Sequence, residues 1–360
     1  MDAASDPSRV LRVIIMEALY QGAVHWRIPM KTIVLEEPGR FVLTETEPPA
    51  APGPGEVAVW VRSIGICGTD LHAFRGKQPF FSYPRILGHE LGVEIAAIGD
   101  GVTGLAPGDR CAVNPYMHCG ECAPCRRGKT NCCTVLKVLG VHVDGGMRES
   151  IVLPAAHVYK SGKLTLRQLA LVETLGIGAH AVGRSDVQPG ERTLVIGAGP
   201  IGLAALEFLR IEGADLALLE TSENRRRFAA SAFPGIRLYS NLDEAAANAD
   251  ATLVFDCTGN PASMHASFKL PVNGGKLVFV GLFPGDVTFH DPEFHRKELT
   301  LLASRNARPD EHRRIVALLE EGRIDTTPWI SETAPAMEIV ERFPRWLDVS
   351  AGVVKAVIEF

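Results

Sequence analysis

The sequence predicts an α/β protein in two parts, an all-β barrel followed by a doubly wound parallel sheet. Over residues 30–159 the chain runs in short β-rich pieces, such as Val57-Ala58-Val59-Trp60-Val61 and Arg110-Cys111-Ala112-Val113, separated by Gly and Pro. That is the pattern of a barrel. After residue 160, helical periods of Leu and Ala alternate with short apolar strands at 193–196, 216–219, 253–255 and 277–280. Such alternation implies a parallel sheet with right-handed crossovers. The 360 residues suffice for two such cores at about 150 residues per domain.

Residues 1–29 carry no strand or turn logic and are expected to form a disordered extension, with a short amphipathic helix as the alternative. Lys31-Thr32-Ile33-Val34-Leu35, directly after Met30, reads as the first strand. A helix at 311–321 and a strand at 353–358 are too little for a domain of their own, and are expected to return to the barrel part.

Composition narrows the function. Hydrophobic residues at 46% and charged residues at 22% fit neither wholesale disorder nor a membrane bundle. Lys plus Arg number 37 against 42 acids, a net charge of −5, which argues against a broad grip on nucleic acid or anionic membrane. A small-molecule partner is expected. The apolar patch at 10–20 is broken by Arg12 and Glu17 and is followed by no small-residue cleavage site, so a reduced, cytoplasmic protein is expected.

Three constellations carry chemistry. Five of the eight cysteines fall between positions 119 and 133. Cys119, Cys122 and Cys125 at steps of three, closed by Cys133, read as a four-thiolate structural zinc site with no position left for substrate. Cys133 is preferred to its neighbour Cys132 on spacing. The second set is Cys67, followed 22 residues later by His89 and then Glu90. One thiolate, one imidazole and a carboxylate leave a fourth position open, as a catalytic zinc requires.

The third set is the run Leu194-Val195-Ile196-Gly197-Ala198-Gly199-Pro200-Ile201-Gly202, a strand entering a Gly-rich turn that opens a helix. Gly197 permits the turn, Gly199 lets backbone approach a pyrophosphate, and Gly202 lets the helix pack closely. Pro200 and Ile201 begin the helix whose N-terminus would receive the phosphates. Glu220, 18 residues past Gly202, would bind the ribose hydroxyls and favour NAD over NADP. Arg225, Arg226 and Arg227 are either a solvated helix face or a cradle for a 2′-phosphate.

In this order the three sets resemble the zinc-dependent medium-chain dehydrogenase/reductase family over residues 30–360. The pieces Tyr83-Pro84-Arg85-Ile86-Leu87-Gly88-His89-Glu90 and Leu139-Gly140-Val141-His142-Val143-Asp144-Gly145-Gly146 are similar to its branch of polyol and sugar-acid dehydrogenases. The resemblance implies a GroES-like catalytic domain at 30–173 and 305–360, with a zinc lobe at about 111–134, interrupted by a Rossmann domain at 174–304. The active site would lie in the cleft between them. It also implies two Zn2+ per chain, NAD, a homodimer or homotetramer, and hydride transfer from a secondary alcohol of a sugar acid or polyol.

Residue by residue, the resemblance implies Cys67 and His89 as ligands of the catalytic zinc. Glu90 is a third ligand or an immediate neighbour, and Glu173 is the acid that reaches the same metal in relatives; the choice between them stays open. Thr69 matches the family's relay hydroxyl and His72 can pass the proton on, the alternatives being a turn residue and an exposed histidine. Asp70 is expected to orient a ligand. Arg305 has three open roles: cofactor phosphate, substrate carboxylate, or a surface ion pair. His142 has none, and Cys111 and Cys257 are expected to be buried small hydrophobes.

The chain departs from the family at Glu173-Thr174-Leu175-Gly176, where relatives read Glu-Pro-Leu-Ala. It also looks short at 234–251, where relatives carry more helix and strand. Rival functions are an L-threonine dehydrogenase-like enzyme and a nucleotide-binding member without catalysis.

Overall fold

The computed structural model describes residues 29–78, 81–348 and 351–360; of the expected extension, all but Pro29 lies outside the described residues. Short apolar runs bounded by Gly and polar turns form the strands of a six-stranded parallel sheet. Its order is Arg237–Tyr239, Asp215–Leu219, Arg192–Ile196, Ala251–Asp256, Pro271–Phe279 and Thr300–Ala303. The order reverses between Arg192–Ile196 and Ala251–Asp256, and open parallel sheets bind ligands at such a reversal, beyond the carboxyl ends of the strands. The stretch 234–251 holds a three-residue strand, Arg237–Tyr239, and a seven-residue helix, Leu242–Asn248. Both elements are therefore present in short form.

A second, seven-stranded sheet runs Ile330–Pro335, Lys355–Glu359, Glu56–Gly65, Glu90–Ile98, Arg110–Val113 and Val158–Lys160, with Ser150–Pro154 also paired to Glu56–Gly65. Its pairings are antiparallel except that between Ile330–Pro335 and Lys355–Glu359. The end strands are not paired with each other among the described residues. The last strand of the chain lies beside Glu56–Gly65, with Val357 opposite Gly65. Met30–Glu37 and Arg40–Thr46 form a separate hairpin whose Ile33, Leu35 and Phe41 join Val59, Ile64, Leu91 and Ile358 in one core.

The helix Val172–Ser185 joins the two halves. Nearly all its residues are buried, as expected of a helix without a clear polar face. It packs on Pro200–Ile211 and on Pro309–Glu320, and two glycines set how closely. A Cβ on Gly178 would lie 2.5 Å from the Ala204 carbonyl carbon, and one on Gly176 would lie 2.9 Å from the Ala307 Cβ. The second contact leaves Gly176 no room for a side chain unless Ala307 shifts. Gly183, in contrast, is exposed and a Cβ there would meet nothing within 4 Å.

The two ends of this helix therefore respond to the same change with opposite signs. Gly178→Ala should destabilise by about 1–3 kcal/mol through overpacking, whereas Gly183→Ala should stabilise by about 0.5–1 kcal/mol. Thermal unfolding of the two variants checks this; equal shifts would mean that Gly178 does not govern the helix crossing.

Candidate active site

The antiparallel ladder itself builds the first cluster. Gly65, the last residue of Glu56–Gly65, is the register partner of Glu90, the first residue of Glu90–Ile98. A Cβ on Gly65 would lie 2.0 Å from Glu90 Oε2, so the carboxylate lies over the glycine. Two residues past Gly65 the backbone turns at Cys67, which is the N-cap of the helix Gly68–Phe74. Gly88, with φ +92°, turns the chain just before His89 and Glu90. As a result the Cys67 Sγ, an imidazole nitrogen of His89 and a carboxylate oxygen of Glu90 lie within 4.8 Å of one another.

Charge is concentrated around this cluster. Asp70 is fully buried, accepts a hydrogen bond from the Cys67 N–H at 2.9 Å, and places Oδ1 3.8 Å from His89 Nδ1. Neither of those two facing atoms has a hydrogen-bond partner in the structure. Burial raises the pKa of Asp70, against the pull of His89. Burial alone would lower that of His89, but Asp70 and Cys67 together hold it well above the usual value. Lys355, buried on the last strand, donates to Glu90 Oε1 at 2.5 Å and to the Ile66 carbonyl at 3.1 Å.

Glu173 is buried in the first turn of Val172–Ser185 and is not one of the three groups within 4.8 Å. Its carboxylate accepts a hydrogen bond from the Tyr116 hydroxyl. Burial, then the adjacent Glu173, pushes the Tyr116 pKa well up, so this hydroxyl remains a donor. Sequence reading passes over both Lys355 and Tyr116. A lysine inside an otherwise apolar final strand was a readable signal for the first; nothing local marks the second.

Thr69 and His72 lie three residues apart on Gly68–Phe74, hence on one face of the helix. Thr69 is half-buried and His72 exposed. Partial burial, then Arg75 and Lys77, holds the His72 pKa below its ordinary value, which keeps the ring neutral at pH 7.

The cysteine lobe forms a second cluster, with the Sγ atoms of Cys119, Cys122, Cys125 and Cys133 within 4.8 Å of one another. Cys119 and Cys133 sulfurs are 3.5 Å apart, and backbone N–H groups of Cys119 and Cys122 point at the sulfurs of Cys133 and Cys119. Cys132 is exposed and outside the group. Burial pushes Cys111 up to about 12 and raises Cys257 as well, so neither is a reactive thiolate.

At the glycine-rich turn, Gly197 has φ +93°. A Cβ on Gly202 would lie 1.8 Å from the Gly197 carbonyl oxygen, whereas one on Gly199 would meet nothing within 4 Å. Gly202 thus lets the first helical turn close onto Gly197, and Gly199 faces open space. Pro200 and Ile201 open the helix Pro200–Ile211, whose N-cap, Gly199, supplies no side chain. Its first N–H groups remain available to an anion. Glu220 is buried at the end of the adjacent strand, accepting from the N–H groups of Ala198 and Ser222, both at 2.8 Å. Two lone-pair positions remain on that carboxylate.

Of the three arginines beyond it, Arg226 binds the Glu220 and Thr221 carbonyls and the Glu223 carboxylate, and Arg227 binds Glu223 and Asn224. Arg225 makes no such tie among the described residues and lies half-buried. Arg305 is exposed, with no side-chain hydrogen bond or ion pair among the described residues. Burial, then the charges of Arg305 and Arg85, holds the His142 pKa below its ordinary value.

The alcohol dehydrogenase GroES-like domain matches residues 53–163, and the zinc-binding dehydrogenase family matches residues 200–321. The chain is 39% identical to an L-galactonate-5-dehydrogenase of Escherichia coli K12, covering 92% of this chain and 99% of that protein. It is 32% identical to a 2-dehydro-3-deoxy-L-galactonate 5-dehydrogenase of Pseudoalteromonas atlantica, covering 86% and 93%. A crystal structure of a protein described as a short chain alcohol dehydrogenase, from Escherichia coli CFT073 and complexed with NADH, superposes with a TM-score of 0.85 at 30% identity, covering 92% and 99%. With GroES-like and Rossmann-type halves and relatives matched almost end to end, this chain belongs to the zinc-type alcohol dehydrogenase family.

Proposed function

We propose that this chain oxidises a secondary alcohol of a sugar acid of the L-galactonate class, using NAD and two zinc ions per chain. The observation that carries the reading is the convergence of Cys67, His89 and Glu90 beside buried Asp70 and Glu173. Cys67, His89 and Glu90, with buried carboxylates beside them, form a donor set that suits a divalent cation, and Lys355 is the buried ammonium on Glu90. Cys67, His89 and Glu90 would hold the catalytic zinc, with Glu173 the next carboxylate in reach. Cys119, Cys122, Cys125 and Cys133 would hold the structural one.

Bound there, zinc supplies the positive charge that makes an alcohol acidic near neutrality, and NAD supplies the hydride acceptor. The chain's own residues handle the proton. Thr69 would take it from the substrate hydroxyl and hand it to His72, which is neutral at pH 7 and opens to solvent. Asp70 would fix the orientation of His89. Lys355 would hold Glu90 in place, balancing one buried carboxylate.

The cofactor would lie across the sheet reversal, its pyrophosphate at the N–H groups beyond Gly199 and its ribose at Glu220. Arg226 and Arg227 are occupied by local partners, which favours NAD over NADP. Arg305, exposed and unpaired among the described residues, would receive the substrate carboxylate; this contact favours a sugar acid over a neutral polyol. We assign the GroES-like domain to 30–173 and 305–360 and the Rossmann domain to 174–304. A homodimer or homotetramer in a reducing cytoplasm fits the free cysteines. Among the described residues no helix is long and apolar enough to cross a membrane.

Initial rates of NAD reduction by zinc-replete protein should show a clear preference for L-galactonate over neutral polyols and L-threonine. A preference for either of the latter would overturn the substrate class. Cys67→Ser should abolish turnover and lower zinc from two per chain to one; full activity in that variant would remove Cys67 from the site. His72→Gln should lower kcat/KM by on the order of 10². It should also erase the fall in rate expected of the parent protein as His72 protonates, at a pH below the ordinary histidine value because burial, then Arg75 and Lys77, lowers its pKa. An unchanged profile would place the proton path elsewhere.

A further inference from the structure

One buried side chain ties the cysteine lobe to the loop that carries Arg305. Asn131 lies in the short helix Thr130–Cys132, between Cys125 and Cys133, and is 3% exposed. Its Nδ2 is 2.9 Å from the Arg305 carbonyl oxygen and 3.0 Å from His180 Nε2. A carbonyl only accepts, so the amide nitrogen must face it, and the second N–H then makes His180 Nε2 an acceptor. His180 therefore carries its proton on Nδ1 and donates it to Glu311 Oε1 at 2.9 Å. Glu311 Oε2 in turn accepts the Arg308 N–H at 2.6 Å. The lobe, the helix Val172–Ser185 and the start of Pro309–Glu320 are thus closed around one backbone segment, 305–308.

That segment needs holding. Asn306 adopts φ +55°, a left-handed conformation that side chains rarely take. Among the described residues the buried Ser304 hydroxyl and Asn306 amide nitrogen have no partners, and of the loop's own side chains Arg308 is tied, to Asp310 and Glu311. It is bounded on one side by Gly176, three residues from Glu173, through Ala307. The segment that presents Arg305 therefore packs on the helix whose first turn carries Glu173.

We propose that Asn131 is a positioning residue: by holding the Arg305 carbonyl it sets the guanidinium where a substrate carboxylate binds, so that the cysteine lobe determines selectivity for an anionic substrate. The inference rests on the substrate class proposed above. It assigns the lobe a role beyond stabilising its own fold, and it gives a function to a buried Asn–His–Glu chain that touches neither metal cluster's donor atoms.

The test is equilibrium binding to zinc-replete protein saturated with NADH, a state without hydride acceptor, using L-galactonate and the neutral polyol galactitol as probes. Asn131→Ala should weaken L-galactonate by about tenfold, the scale of one lost hydrogen-bonded positioning contact, and leave galactitol and the zinc content unchanged. Arg305→Ala should weaken L-galactonate at least as much, and the double variant no further than Arg305→Ala alone, since both act through one contact. Asn131→Ser, which keeps one donor, should lose less and serves if the alanine variant does not fold. Additive losses, equal loss of galactitol, or no loss in Asn131→Ala would overturn the role of Asn131 while Arg305→Ala upholds the substrate class. If Arg305→Ala also leaves L-galactonate binding unchanged, the substrate class itself falls.

Discussion

Buried negative charge is the constraint on which this structure turns. Asp70, Glu90 and Glu173 are each almost wholly excluded from solvent, and Cys67 meets Glu90 near its sulfur and Asp70 at its N–H. Within that group the chain provides one buried ammonium, Lys355, and one imidazole, His89. Unpaired buried carboxylates cost several kcal/mol each, so the folded chain is incomplete as an electrostatic object until a further cation joins them. Burial, the largest cause in each, raises the pKa of Asp70 and Glu173 against the pull of His89, and the Glu90 charge adds to the rise. A zinc-type alcohol dehydrogenase resolves it by using the surplus as a donor set.

Register explains how residues so far apart meet. The pairing of Gly65 with Glu90 and of Val357 with Gly65 brings three strand ends to one point. Cys67, His89, Glu90 and Lys355 all lie within two residues of those ends. A slip of one residue would turn Glu90 to the other face of its strand, so the apolar cores that fix register also fix the charge cluster. The helix Val172–Ser185 supplies the remaining pieces. Its glycines allow close contact with Pro200–Ile211 and with Ala307, and its polar residues Glu173 and His180 bind Tyr116 and Asn131.

Much of this was readable in the chain order of residues. Five cysteines in fifteen positions, a Gly-rich turn after an apolar strand, and a Cys67 with His89-Glu90 beyond it are local patterns with local causes: thiolate chemistry, backbone freedom and helix N-termini. The alternation of strand and helix likewise announced a parallel sheet, because burial on both faces demands continuous apolar strands. The short stretch 234–251 was misleading in length alone, since three residues suffice for a strand and seven for a helix.

Other features were decided only by tertiary structure. Lys355 opposite Glu90 joins positions 265 apart, and Tyr116 on Glu173 joins positions 57 apart. Asn131, His180 and Glu311 likewise meet across separate elements. No spacing rule links such residues, because their proximity depends on which strands pair and how two helices cross. Arg226 and Arg227 looked equivalent to Arg225 in sequence, and side-chain partners alone distinguish them. By itself the sequence determined the ligand types, the turn and the family, all of which follow from residue chemistry at short range. The choice of counter-ion for each buried acid fell to the fold, since burial and pairing are properties of the packed chain.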